Sequence, residues 1–193
     1  MIRTLTVCAL AGLITHTASA ADLPPDSIYR LEASFTDQSG REFQLSDKRG
    51  RPVLVAMFYT SCQYVCPLIV DAAKSIERTL TSAERRDLQI LLVSLDAERD
   101  DVDALKSVAK ERGLDPASWT LARTGEANVR KLSALLGVRY RLLADGEFNH
   151  TSALYLLDAE GRKQAESSRL GGTPDPDFLA AVRAELHDRT ASH

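Results

Sequence analysis

Two cysteines separated by three residues, Cys62 and Cys66, stand in the segment Thr60-Ser61-Cys62-Gln63-Tyr64-Val65-Cys66-Pro67. Thiols four positions apart on a helical turn come close enough to close a disulfide or to grip one ion between them. Thioredoxin-type oxidoreductases use two intervening residues, so this wider loop relaxes the redox geometry and lets two thiolates splay around a metal. Soft thiolates select copper(I), whereas zinc normally asks for a fourth protein ligand. A plain structural disulfide is the competing reading. A loop this small gains little stability from chain entropy.

A histidine close to an active cysteine pair is a candidate further ligand. Beyond residue 20 the histidines are His150, His187 and His193. The last two fall in a C-terminal helix and tail that read as solvated surface. His150 lies in Gly146-Glu147-Phe148-Asn149-His150-Thr151, a loop leading into an apolar strand. Asp96 is the remaining candidate, at the end of another apolar strand. It reads either as an acid in the first turn of the next helix or as an outer-shell carboxylate. In the second role it would orient His150 or accept a proton as metal displaces it.

The elements that must position these residues follow from hydrophobic periodicity. Leu31 to Phe35 and Arg41 to Leu45 flank Asp37-Gln38-Ser39-Gly40 and predict a β-hairpin. Pro52 to Tyr59 and Leu88 to Leu95 are almost wholly apolar, as strands buried on both faces should be. Helical spacing marks Pro67 to Leu80, with Pro67 suited to the first helical position. Val102 to Arg112 and Ala127 to Leu136 are further helices, closed by Gly113 and Gly137. Trp119 to Leu121 predicts a short strand, Ala153 to Leu157 a buried one with a partner after Asp158-Ala159-Glu160-Gly161, and Asp177 to His187 a final helix. This order predicts a three-layer α/β sandwich with a mixed central sheet and an N-terminal β-hairpin. The cysteine pair falls where a buried strand meets its helix, Cys66 at or near the N-cap. A helix N-terminus favours thiolates there, and sites form at that end of open α/β sheets.

Composition sets the remaining bounds. The chain has 193 residues, 44% hydrophobic and 26% charged, with a formal charge of −3. That is enough for one well-cored domain, and it gives no support for nucleic-acid binding. Arg3, the apolar run Val7 to Ile14 and Ala18-Ser19-Ala20 read as a signal peptide over residues 1–20, cleaved before Ala21. An uncleaved anchor is the competing reading. A lipoprotein cut at Cys8 is disfavoured by the bulky Val7. Cleavage removes Cys8 and Arg3, leaves Cys62 and Cys66 as the only cysteines, and moves the charge to −4. Residues 21–30, with Pro24-Pro25, read as a flexible mature N-terminus, 31–188 as one domain and 189–193 as a tail.

Three segments together resemble the Sco/SenC family, copper proteins of thioredoxin-like fold involved in cytochrome c oxidase assembly. They are Phe58 to Pro67, Ser94-Leu95-Asp96-Ala97-Glu98-Arg99-Asp100, and Phe148-Asn149-His150-Thr151-Ser152 with Leu156 to Gly161. The resemblance implies that Cys62 and Cys66 ligate copper through sulfur and His150 through an imidazole nitrogen. Asp96 matches the family's strand-end aspartate. Gln63 and Ala97 stand where the family often has proline, and neither departure removes a ligand.

By the same resemblance the protein is a periplasmic metallochaperone carrying copper(I), or copper(II), to the binuclear copper site of cytochrome c oxidase subunit II or a similar cuproprotein. With its signal cleaved it would have no stable membrane anchor. Copper binding and disulfide formation would compete for the same sulfurs. The main alternative is a thiol-disulfide reductase that reduces the target's metal-binding cysteines and is itself recycled by a thiol reductant protein. A copper or redox sensor would use the same ligands. A thiol peroxidase fits poorly, because peroxiredoxins place threonine three residues before the reactive cysteine and Thr60 is two before Cys62.

Overall fold

A computed structural model describes residues 23–191, with side chains as far as Asp188. The signal-peptide segment and the last two residues of the expected tail lie outside the described residues. Strands β1 (Phe35–Asp37), β2 (Glu42–Phe43) and β3 (Val53–Phe58) are followed by helices α1 (Val65–Thr79) and α2 (Ser82–Asp87). Next come β4 (Gln89–Ser94), α3 (Val102–Glu111), β5 (Trp119–Arg123) and α4 (Glu126–Leu136). The chain ends with β6 (Tyr140–Leu142), β7 (Phe148–His150), β8 (Leu154–Leu157), β9 (Lys163–Ser167) and α5 (Pro176–Ala191). Among the described residues no helix is long and apolar enough to cross a membrane.

Seven strands form one mixed sheet in the order β2-β1-β5-β4-β3-β8-β9. The three central strands β5, β4 and β3 are parallel, and β1, β8 and β9 join antiparallel to their neighbours. All six residues of β3 and of β4 are buried, because helices cover both faces of the sheet. Period-2 alternation sends Leu54, Ala56 and Phe58 to one side, where they pack with Ile69, Ile76, Leu105 and Val182 from α1, α3 and α5. Val53, Val55 and Met57 point the other way, onto Val129, Leu132 and Leu136 of α4. The three-layer, mixed-sheet architecture expected from the sequence is the one that forms.

The N-terminal hairpin forms, but its first strand is Phe35–Asp37 and not Leu31 to Phe35, so it runs into the expected turn. Helix α2 was not expected. Four further details differ. The segment 21–30, read as flexible, packs from Leu23 onward: Leu23, Ile28 and Tyr29 are buried in the α4-side core, and a 3-10 turn spans Ile28–Arg30. Burial of these apolar side chains outweighs the prolines' resistance to regular structure, and the Ile28 N–H donates to the Gly161 carbonyl at 3.0 Å. Helix α1 begins two residues before Pro67, which occupies the third helical position. Its missing N–H is still one the helix would leave unpaired. Helix α5 continues past 188 to Ala191, into the segment read as tail. Lastly, the stretch read as a loop before β8 is a hairpin, β6 paired antiparallel with β7, and His150 is the last residue of β7.

A candidate thiol and metal site at the end of β3

The chain leaves β3 through Tyr59 and Thr60 and enters α1 at Val65, so Cys62 lies in the connecting turn and Cys66 is the second helical residue. Both are free thiols; Cys62 is partly exposed and Cys66 is buried, at 4%. The Cys66 N–H, one of the unpaired donors of the helix N-terminus, donates to Cys62 Sγ at 3.3 Å. The turn is braced from β4. Asp100, 1% exposed, accepts the Thr60 N–H at 2.9 Å and the hydroxyls of Thr60 and of Ser94. One buried carboxylate thereby ties the ends of two neighbouring strands to the loop that carries Cys62.

The two thiols are electrostatically unlike. Burial alone would raise the Cys62 pKa. Donors from the Cys66 N–H and thiol and the Tyr64 N–H outweigh it and hold Cys62 below its ordinary value. Burial pushes Cys66 strongly up, and the adjacent Cys62 sulfur pushes it further. Cys62 is therefore the more readily ionised of the two thiols. A cavity of about 220 Å³ opens beside the pair, between α1 and α3; Tyr64, between the two cysteines in sequence, is 82% exposed.

His150 reaches this end of the sheet because β8 pairs directly with β3. Its Nδ1 lies 3.0 Å from the Thr151 carbonyl, which can only accept, so the proton is assigned to Nδ1 and the Nε2 lone pair is free. Burial lowers the His150 pKa, against an opposing pull from the Thr151 carbonyl. Between His150 and the cysteines stands Tyr59. Its ring meets the His150 ring edge-on at 5.9 Å between centroids and the Phe148 ring at 5.3 Å. Its hydroxyl donates to Glu147 Oε2 at 2.7 Å and also faces Cys62.

The structure thus brings Cys62 and Cys66 together and sets His150 across the Tyr59 ring from them. Among the described residues, no three His, Cys, Asp or Glu side chains converge as an ion site. Asp96 does not contact His150. Its carboxylate accepts the Arg99 N–H at 3.0 Å and pairs with the Arg99 guanidinium, which also donates to the Gly146 carbonyl and lies 5.9 Å from the Phe148 ring centroid. Asp96 therefore reaches the hairpin only through Arg99. Nor is it an acid of the next helix's first turn, since Asp101 caps α3 by accepting the Ala104 N–H. Tyr59, Glu147, Asp100 and Arg99 are site residues that sequence reading missed. The acidic run after β4 and the Asp145-Gly146 turn signal were the available hints.

The donor set suits a soft ion: one readily ionised thiol, a second thiol beside it, and an imidazole whose Nδ1 is turned to a backbone carbonyl. A strand-to-helix cysteine turn on a mixed sheet with helices on both faces defines a thioredoxin-like protein. A family model described as SCO1/SenC matches residues 25–184, and the chain belongs to that family. A curated relative, the SCO1 protein homolog of Bacillus subtilis (strain 168), is 23% identical over 160 residues, covering 81% of this chain and 82% of its own. The crystal structure of a SCO1/SenC family lipoprotein from Bacillus anthracis str. Ames superposes with a TM-score of 0.69 at 25% identity, over 79% of this chain and 91% of that one. Bradyrhizobium japonicum ScoI, solved with copper bound, gives a TM-score of 0.64 at 23% identity, over 79% and 96%.

Proposed function

We propose that this protein is an exported copper metallochaperone in which Cys62, Cys66 and His150 hold the ion and release it to a cuproprotein. The observation that carries the reading is the free thiol pair at an exposed helix N-terminus, with the free Nε2 of His150 across Tyr59, in a member of the SCO1/SenC family. The copper-bound Bradyrhizobium japonicum structure and the matching Cys62–Cys66 and His150 segments support copper as the cargo. Copper(I) is the form the soft donors favour, with copper(II) as a second loaded state. The binuclear copper site of cytochrome c oxidase subunit II, or a similar periplasmic site, is the recipient that fits the family. Transfer proceeds by ligand exchange: incoming thiolates replace Cys62, then the buried Cys66. The N-terminal segment acts as a signal peptide cleaved at Ala20/Ala21, so the mature protein works in the periplasm, where the oxidised cysteine pair would be unable to load.

The unlike pKa values of the two thiols favour a second reading, a thiol-disulfide reductase. The Cys62 thiolate attacks one sulfur of a target disulfide, releases the other as a thiolate and forms a mixed disulfide. Cys66, losing its proton, then attacks Cys62 Sγ. The target leaves with both thiols reduced, and the protein is left oxidised, to be restored by a thiol reductant protein. Copper(I) titration of the reduced protein against a competing chelator separates the two readings. For the chaperone, wild type binds one copper, and Cys62→Ser, Cys66→Ser and His150→Ala each weaken it by at least about tenfold. Wild-type affinity equal to that of the cysteine variants would overturn copper carriage. Retention of full affinity in His150→Ala, with disulfide reduction intact, would favour the reductase.

A further inference from the structure

A second cavity, about 820 Å³, lies on the opposite face of the sheet from α1. It is a groove between α4, the loop after β4 and the β6–β7 hairpin. Its volume falls within the range of small-molecule sites, and such sites are mostly apolar with a few placed polar groups. Leu95, Val138 and Phe148 supply apolar lining. Two observations on the polar side point to a ligand. Ser133, on α4, lines the groove at 2% exposure, and its buried hydroxyl has no hydrogen-bond partner. Buried hydroxyls are rarely left so, because the lost water costs about 1–3 kcal/mol. At the rim, Arg139 and Arg141 are exposed and have no ion-pair partner among the described residues.

The other rim charges are largely spent. Arg99 is paired with Asp96 and Arg130 with Glu126, which leaves Glu98 as the single acid facing two unpaired guanidiniums. The balance is cationic at the mouth and apolar within, with one unsatisfied polar atom in the wall. We propose that this groove binds an amphipathic organic anion. Its apolar body packs on Leu95, Val138 and Phe148, and its carboxylate or phosphate head sits against Arg139 and Arg141. Phe148 is shared with the site described above, since its ring also meets that of Tyr59. Occupancy of the groove is therefore felt at the hairpin that carries His150.

Dodecanoate, below its micellar concentration, is the probe, titrated into the reduced, metal-free protein by calorimetry and by ¹H–¹⁵N NMR. Working without metal keeps the result independent of copper binding. The groove predicts saturable one-to-one binding with amide shifts at Leu95, Val138 and Phe148, and at least a tenfold loss with dodecanol, which lacks the carboxylate. Arg139→Glu combined with Arg141→Glu should weaken binding at least tenfold, while Ala134→Trp, which fills the groove from α4, should abolish it. The arginines are exposed, so that double variant keeps the test decisive even if Ala134→Trp fails to fold. Non-saturable binding, or affinity unchanged in the double arginine variant, would overturn the proposal. So would an acidic apolar peptide that binds at Arg139 and Arg141 and that dodecanoate fails to displace, which would mark a protein-docking surface instead.

Discussion

At the residue scale the site turns on the inequality of two thiols four positions apart. Cys62 accepts several donors and is held below the ordinary thiol pKa, whereas burial drives Cys66 above it. The alkylation rate of Cys62 by iodoacetamide should therefore reach half its plateau at a lower pH than a free cysteine, near 8.5, and Cys66 should stay unmodified until the fold opens. Peptide mapping after timed alkylation reads this directly; equal labelling of the two would contradict it. Cys66→Ala removes one thiol donor and should move the Cys62 midpoint upward, measured the same way. The cysteine pair was legible from its type and spacing, whereas His150 was singled out by its place before an apolar strand together with the family resemblance. Tyr59 was not. Its role comes from the distance between the end of β3 and a hairpin that follows it by some ninety residues, with the Tyr59 hydroxyl bonded to Glu147, and only the fold sets that distance.

At the element scale the cysteine turn depends on the strand ends that hold it. Asp100 accepts from Thr60 and Ser94, so Asp100→Ala strands a backbone N–H and two hydroxyls in a buried place. The expected loss is about 2–4 kcal/mol in urea unfolding; Asp100→Asn, which keeps an acceptor oxygen, should lose less. A loss below about 0.5 kcal/mol for the alanine variant would show that the brace is not structural. The β8–β9 turn is equally demanding. Gly161 has φ of 81°, and a Cβ added there would lie 2.6 Å from the Tyr29 ring. Gly161→Ala therefore combines left-handed strain with overpacking and should cost about 2–4 kcal/mol. The long apolar strands and their helices were readable from periodicity. The hairpin of β6 and β7 was missed because each strand has three residues, too few for a pattern, and α2 because it has no buried residue. Its capping box of Thr81 and Glu84 was the signal to use.

At the scale of the whole molecule, a mixed sheet covered on both faces places a strand-to-helix turn and an edge-on hairpin side by side at one end. The layers were legible from the order of elements. Two placements were not: β1 pairs with β5, joining residues more than eighty positions apart, and Tyr29 docks beside Gly161. The central claim is that Cys62, Cys66 and His150 act as one donor set, although His150 stands across Tyr59 from the thiols. Because the three side chains do not converge as an ion site here, closing that set requires the cysteine turn and the β6–β7 hairpin to approach each other when the ion enters. X-ray absorption spectroscopy at the copper edge, on reduced protein loaded with one equivalent of copper(I), tests this most directly. A first shell of two sulfurs and one imidazole nitrogen is expected in wild type, with loss of the imidazole scattering alone in His150→Ala. A wild-type shell without imidazole, or one unchanged by His150→Ala, would contradict it.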